Sequence, residues 1–99
     1  MGERIYGELV SDGGEIFALI DIVTTLGRHN SSDICLRSPK ASMRHCMLAF
    51  KGGQWWVRDL RSRNGTCVNG RRVTEVLLHS GDKLSVGDTT FTIQYRPPA

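Results

Sequence analysis

Residues 59–70 read DLRSRNGTCVNG, and the reading of this stretch decides the fold. It holds two Asn-Gly pairs, Asn64-Gly65 and Asn69-Gly70, with Arg61, Arg63 and Arg71 around them. Asn-Gly is the strongest short turn signal, because both residues accept positive φ at little steric cost. Asn69-Gly70 stands between Thr66-Cys67-Val68 and Arg71-Arg72-Val73, which predicts a two-residue hairpin turn. Asn64-Gly65 follows the apolar run Trp55-Trp56-Val57 and ends that strand. This first turn sets an amide and backbone N–H groups beside Arg61 and Arg63, the donor types of an anion site. Taken alone, the stretch reads more readily as two ordinary hairpin turns than as an anion site.

Outward from this stretch the chain continues in short β-branched and aromatic runs, broken by Gly, Asn, Asp and Ser. That pattern predicts an all-β sandwich of roughly ten strands in two antiparallel sheets. Strands are expected over 4–10, 15–20, 22–27, 33–36, 45–51, 54–60, 66–68, 71–73, 76–78, 83–86 and 89–95. Alternation puts Leu48, Phe50, Trp55, Val57, Phe91, Ile93 and Tyr95 inward, with Leu19, Leu84 and Val86 completing the core. Arg58 prefers water, so Trp56 on its face points outward. The 99 residues form one domain over 1–96, and Pro97-Pro98 makes 97–99 the start of a linker or the chain end.

At 39% hydrophobic and 23% charged, the composition is that of a soluble globular domain, and no apolar run reaches the length of a membrane span. Residues 1–4 lead into no long apolar stretch, so no secretory signal is expected. Cys35, Cys46 and Cys67 form no C-x-x-C pair; an odd number of thiols fits the reducing cytoplasm, each buried as a small hydrophobe. His29, His45 and His79 lack metal-ligand spacing, so no metal or other cofactor is expected. No paired carboxylates, activated nucleophile or Gly-rich nucleotide loop is present, which speaks against an enzyme.

Charge is more telling than composition. Residues 28–72 hold ten of the 13 basic residues and two of the ten acids, a net of +8, against −5 for the two ends together. Such asymmetry suggests an anionic partner for the middle of the chain. The loops 28–32, 37–44 and 61–65 carry most of these groups. In an antiparallel sandwich, loops at alternate strand ends gather at one edge. If they meet, Arg28, Ser42 and Asn64 surround one small anion with a forked cation, a hydroxyl and an amide. If they do not, the arginines are scattered surface charges.

In order along the chain come Gly27-Arg28, Ser42-x-x-His45, Asn64-Gly65-Thr66 and Asn69-Gly70. This series resembles the signature of the forkhead-associated (FHA) domain, and the resemblance spans nearly the whole chain. It implies a β-sandwich that binds phosphothreonine in partner proteins through loops at one end. It implies that Arg28 grips the phosphate, Ser42 hydrogen-bonds it and Asn64 holds the bound peptide's backbone. It gives Gly27, His45, Gly65, Thr66 and Asn69 loop-shaping roles. Lys40 and Arg61 lie near positions that read the residue three after the phosphothreonine. The resemblance further implies a preference for phosphothreonine over phosphoserine, through an apolar niche for the γ-methyl.

The chain departs from the family pattern at two places. Met43 follows the serine where the family often has Arg, Lys or Asn, and offers the phosphate only its backbone N–H. Arg63 stands where many members have a smaller residue, and either adds a phosphate contact or crowds the groove. The expected function is a monomeric, phosphothreonine-dependent interaction module that binds neither nucleic acid nor membrane. The alternatives are an FHA-like module that binds without phosphate, kept open by Met43, and a small basic nucleic-acid-binding β domain. Against the latter, Trp56 alone looks available as a stacking platform.

Overall fold

The computed structural model describes residues 5–96. Every regular element among them is a strand. They are β1 (Gly7–Ser11), β2 (Ile16–Leu19), β3 (Val23–Gly27), β4 (Ile34–Cys35), β5 (Cys46–Lys51), β6 (Gln54–Asp59), β7 (Thr66–Val68), β8 (Arg71–Val73), β9 (Glu75–Leu78), β10 (Lys83–Val86) and β11 (Thr89–Gln94). Six strands form one sheet in the order β2-β1-β11-β10-β7-β8, and five form the other in the order β4-β3-β5-β6-β9. The expected all-β sandwich is therefore present, with eleven strands. Pairing is antiparallel except between β3 and β4, which run parallel. The expected linker at 97–99 and the expected strand start at Arg4 lie outside the described residues.

The core follows from the period of two along each strand. Leu9, Leu19, Leu84, Val86, Phe91 and Ile93 face inward from one sheet, and Leu26, Leu48, Trp55, Val57 and Leu78 from the other. Burying each such side chain stabilises the fold by about 1.5–3 kcal/mol. Trp55 is wholly buried and donates its indole N–H to the Tyr6 carbonyl at 3.1 Å, which satisfies its polar atom. Phe50 and Tyr95 pack on the core but stay half-buried. Trp56 faces outward as expected, with the Lys51 ammonium 5.3 Å from its ring centroid.

The three cysteines do not share one environment, contrary to expectation. Cys46 is buried, Cys67 half-buried and Cys35 exposed. The cause is alternation: Ile34 and Leu36 both turn inward, so Cys35 between them must turn out. Cys67 lies likewise between the buried Thr66 and Val68.

The register positions the site. Leu26 of β3 pairs with Cys46 of β5, which in turn pairs with Asp59 of β6. The end of β3, the start of β5 and the end of β6 thus lie side by side. Thr66, the first residue of β7, pairs with Val86, the last residue of β10. The loops 28–33, 36–45 and 60–65 therefore leave the same end of the sandwich.

Burial pushes the Cys46 thiol up to about 12, so at neutral pH it is a buried, unreactive thiol. Native protein treated with a maleimide at neutral pH should be modified quickly at Cys35 and more slowly at Cys67. Cys46 should react only after unfolding, as peptide mass spectrometry would read; rapid native labelling of Cys46 would contradict this packing.

Candidate functional site

Backbone bonds stitch the loops together before any side chain contributes. Arg28 N–H donates to the Ser42 carbonyl at 3.0 Å, and His29 N–H to the Met43 carbonyl at 3.2 Å. The approach is so close that a Cβ on Gly27 would stand 2.1 Å from the Met43 oxygen. Only glycine fits at 27, whatever its φ.

His45 locks the second and third loops from inside. It is wholly buried and uses every polar group it has. Its N–H donates to the Leu26 carbonyl at 3.0 Å, and its carbonyl accepts from Leu60 N–H at 2.9 Å. Nδ1 accepts from Ser42 N–H at 3.0 Å, so the ring proton sits on Nε2, which donates to the Gly65 carbonyl at 2.8 Å. Gly65 has φ +85, and a side chain there would meet the Arg72 guanidinium, 2.5 Å from Nε. Arg72 thus lies across Gly65.

Asp59 holds the base of the third loop. Its carboxylate accepts from Ser62 N–H at 3.1 Å, from the Ser62 hydroxyl, and from the buried Thr66 hydroxyl at 2.7 Å. Burial alone raises this carboxyl, but the bonds from Ser62 and Thr66, with His45 nearby, outweigh it and hold the group below its ordinary range. Neither Asp59 nor Ser62 figured among the site residues read from sequence. The spacing D-x-x-S, in which a carboxylate caps a turn three residues on, was the available signal.

On this frame Arg28, Pro39, Lys40, Ala41, Ser42, Met43, Arg63 and Asn64 line one cavity of about 120 Å3. Three of its polar side chains, Arg28, Ser42 and Asn64, are each held by one bond and left with free capacity. Arg28 donates Nε–H to the Ala41 carbonyl at 3.0 Å, and its two Nη groups carry no partner among the described residues. The Ser42 hydroxyl oxygen accepts from Arg63 N–H at 2.9 Å, which leaves its own proton to give. Asn64 donates Nδ2–H to the Lys40 carbonyl at 2.7 Å, which turns Oδ1 away from that carbonyl. Met43 is 46% exposed at the rim.

Lys40 lines the cavity, but its ammonium leans toward Asp88 at 3.6 Å, both side chains being more than half exposed. Ser38 ties the same turn to the β10–β11 hairpin, accepting from Asp88 N–H at 3.1 Å. Arg61 is exposed, in the left-handed region at φ +57, and does not line the cavity. Arg44 points elsewhere, lining a separate cavity with Ser32 and Leu60. Asn69 lies at the far end of β7, with φ +52, and donates to Asp82 while accepting from Lys83 N–H at 2.9 Å. Of the residues read from sequence, Arg28, Lys40, Ser42, Met43, Arg63 and Asn64 therefore meet at one cavity. Gly27, His45, Gly65 and Thr66 lie in the frame behind it.

A sandwich that presents a small basic cavity on braced loops at one end defines a recognition module for an anionic group. The sequence pattern of the FHA domain matches residues 24–87, and the chain belongs to that family. It is 38% identical over 76 residues to the glycogen accumulation regulator GarA of Mycolicibacterium smegmatis, covering 77% of this chain and 48% of that one. The chain thus spans about half the length of that relative. The structure of Mycobacterium tuberculosis EmbR in complex with a low-affinity phosphopeptide superposes with a TM-score of 0.88 at 30% identity, covering 94% of this chain and 25% of EmbR. A solved structure from a structural and functional analysis of phosphothreonine-dependent FHA domain interactions gives 0.86 at 28% identity, over 93% of this chain and 98% of that one.

The Asp59 lock generates a pH test. A carboxyl lowered by folding contributes stability that is present above its unfolded value, near 4, and is lost as pH falls through the lower folded value. Asp59→Asn should lower the melting temperature at pH 7 by roughly 8–16 °C, for a loss of about 2 kcal/mol. The gap should close as pH falls below about 4. Melting curves of both proteins at pH 7 and pH 3 check this; a gap that stays constant would contradict it.

Proposed function

We propose that the chain is a phosphothreonine-dependent interaction module that holds a phosphorylated segment of a partner protein at the Arg28 cavity. The observation that carries the reading is the convergence of three anchored groups, Arg28, Ser42 and Asn64, on one small cavity with their free capacity unspent. A phosphate dianion brings three strong acceptor oxygens. In our reading the Arg28 Nη groups, the Ser42 hydroxyl, the Met43 N–H and the Arg63 guanidinium take these oxygens. Asn64 then holds the peptide backbone beside them with its Oδ1 and remaining N–H.

Arg28, Ser42 and Asn64 are each anchored in advance by one bond, so binding freezes little further motion of these three side chains. That EmbR, at 30% identity, is solved with a phosphopeptide supports the choice of ligand. In our reading Lys40, at the cavity, and Arg61, exposed on the third loop outside it, favour an acidic residue three after the phosphothreonine. The exposed Lys40–Asp88 pair is the kind worth little, so exchanging Asp88 for a peptide carboxylate costs little. FHA domains are interaction modules, and we assign this chain no catalytic step.

We take the module to act as a monomer in the cytoplasm, where its three free cysteines stay reduced. The basic residues do not form one stripe, since Arg37 and Arg44 line two other cavities. That dispersal favours a point anion over a nucleic-acid backbone.

Arg28→Ala should weaken binding of a phosphothreonine peptide by about 2–5 kcal/mol, or roughly 30-fold to several thousand-fold. Its melting temperature should fall by only a few degrees, since the exposed side chain makes one bond, to Ala41. Arg71→Ala, on the distal hairpin, is the control and should bind as the parent does. Calorimetric titration of both variants decides the matter; equal weakening by the two would reduce Arg28 to one charge in a diffuse field.

A matched phosphoserine peptide should bind at least about tenfold more weakly, because one methyl in an apolar niche is worth about 1–3 kcal/mol. Equal affinities would mean that Met43 and Arg63 have reshaped the niche.

A further inference from the structure

We propose that the free edge of β2 accepts a strand from a partner protein, an extended segment of alternating apolar residues flanked by lysine or arginine. This contact is separate from the Arg28 cavity and needs no phosphate. β2 is an outer strand of its sheet, paired only with β1. Tyr6 N–H bonds the Leu19 carbonyl and Ser11 N–H the Glu15 carbonyl, so the odd-numbered residues of this stretch direct their backbone groups at β1. The N–H and C=O of Ile16 and Ala18 therefore point outward, where a new strand would pair with them.

Proteins usually guard such an edge with lysine, proline or a bulge. β2 reads Ile-Phe-Ala-Leu and has none of these. The surface around it is apolar instead: Ile16 is 63% exposed, Ile20 51%, Ile22 55% and Val23 45%. Four of the large exposed apolar side chains thus fall within eight residues. Beside them lies a groove of about 390 Å3, lined by Ile16, Ala18, Ile20 and Ile34 with Asp21 and Asp33 at its margin.

Charge selects the occupant. Residues 5–27 contain Glu8, Asp12, Glu15 and Asp21 and no lysine, arginine or histidine. Glu8 pairs in register with Ala18, and Glu15 adjoins Ile16. A second copy of this chain pairing β2 with β2 would set these acids against themselves. A basic-flanked strand meets them favourably while its apolar side chains cover the isoleucines. The basic cavity loops at 28–65 and this acidic, apolar edge would then engage one partner at two chemically opposite sites.

The probe is a peptide of alternating isoleucine and threonine flanked by two lysines at each end, with a glutamate-flanked twin, titrated into the 15N-labelled chain. Amide shifts should move at residues 16–23 and on β1, and not at Arg28, Ser42 or Asn64. The lysine peptide should bind roughly tenfold or more tightly than its twin. Ala18→Pro, which removes an outward N–H from an edge position that tolerates proline, should weaken the lysine peptide roughly tenfold. Ile20→Lys should reverse the preference between the two peptides. Both variants should keep the parent's affinity for a phosphothreonine peptide, which separates loss of this edge from loss of the fold. The proposal is overturned if neither peptide moves the β2 amides, if both bind equally, or if the shifts map to the Arg28 loops. It is overturned too if sedimentation shows a concentration-dependent dimer that Ile20→Lys abolishes.

Discussion

The buried imidazole of His45 is the constraint on which the rest of the binding end depends. A polar ring without solvent is tolerable only if both nitrogens are satisfied, and an orphaned one costs about 1–3 kcal/mol. Here the two partners are the Ser42 N–H, three residues before His45, and the Gly65 carbonyl, twenty residues after it. The backbone of the same residue reaches Leu26 and Leu60. One residue therefore fixes the relative placement of three chain segments, and the cavity is what remains between them. Placing the proton on Nε2 is part of this arrangement, because Nδ1 must accept.

Around that ring the design is one of donors already spent once. Arg28, Ser42 and Asn64 each give or take one internal bond and so lose most of their freedom before any ligand arrives. A free arginine side chain carries about 2 kcal/mol of rotamer entropy, so its anchoring to the Ala41 carbonyl matters energetically as well as geometrically. Asp59 performs the same service one layer deeper, where three hydrogen bonds keep it ionised against the cost of burial. Because the outward groups are exposed, salt will screen their long-range pull but not their short-range fit.

Much of this was legible in the amino-acid sequence. Alternation gave the strands and the core from Leu19 to Ile93, and the Asn-Gly pairs gave the hairpin at Asn69. The ordered series from Gly27 to Asn69 pointed to the residues that now meet. What escaped was carried by backbone atoms or by crossings between distant segments. The Ala41 and Lys40 carbonyls that anchor Arg28 and Asn64 have no side-chain signature. The lie of Arg72 over Gly65 depends on the pairing of β7 with β8. Cys35 was expected buried from its apolar neighbours, but those neighbours, Ile34 and Leu36, share the inward face and so turn Cys35 out.

The contact between Gly27 and the Met43 carbonyl has a consequence for how this scaffold can change. It fixes residue 43 by its backbone alone, with His29 N–H on the same oxygen. The Met43 side chain, nearly half exposed, bears none of that structural duty. Position 43 is thus a socket in which evolution can exchange chemistry at the rim of the cavity without disturbing the loops that form it. Position 27, the other half of the same contact, has no such latitude. Freedom to vary the rim and a fixed loop path meet in two residues whose backbones touch.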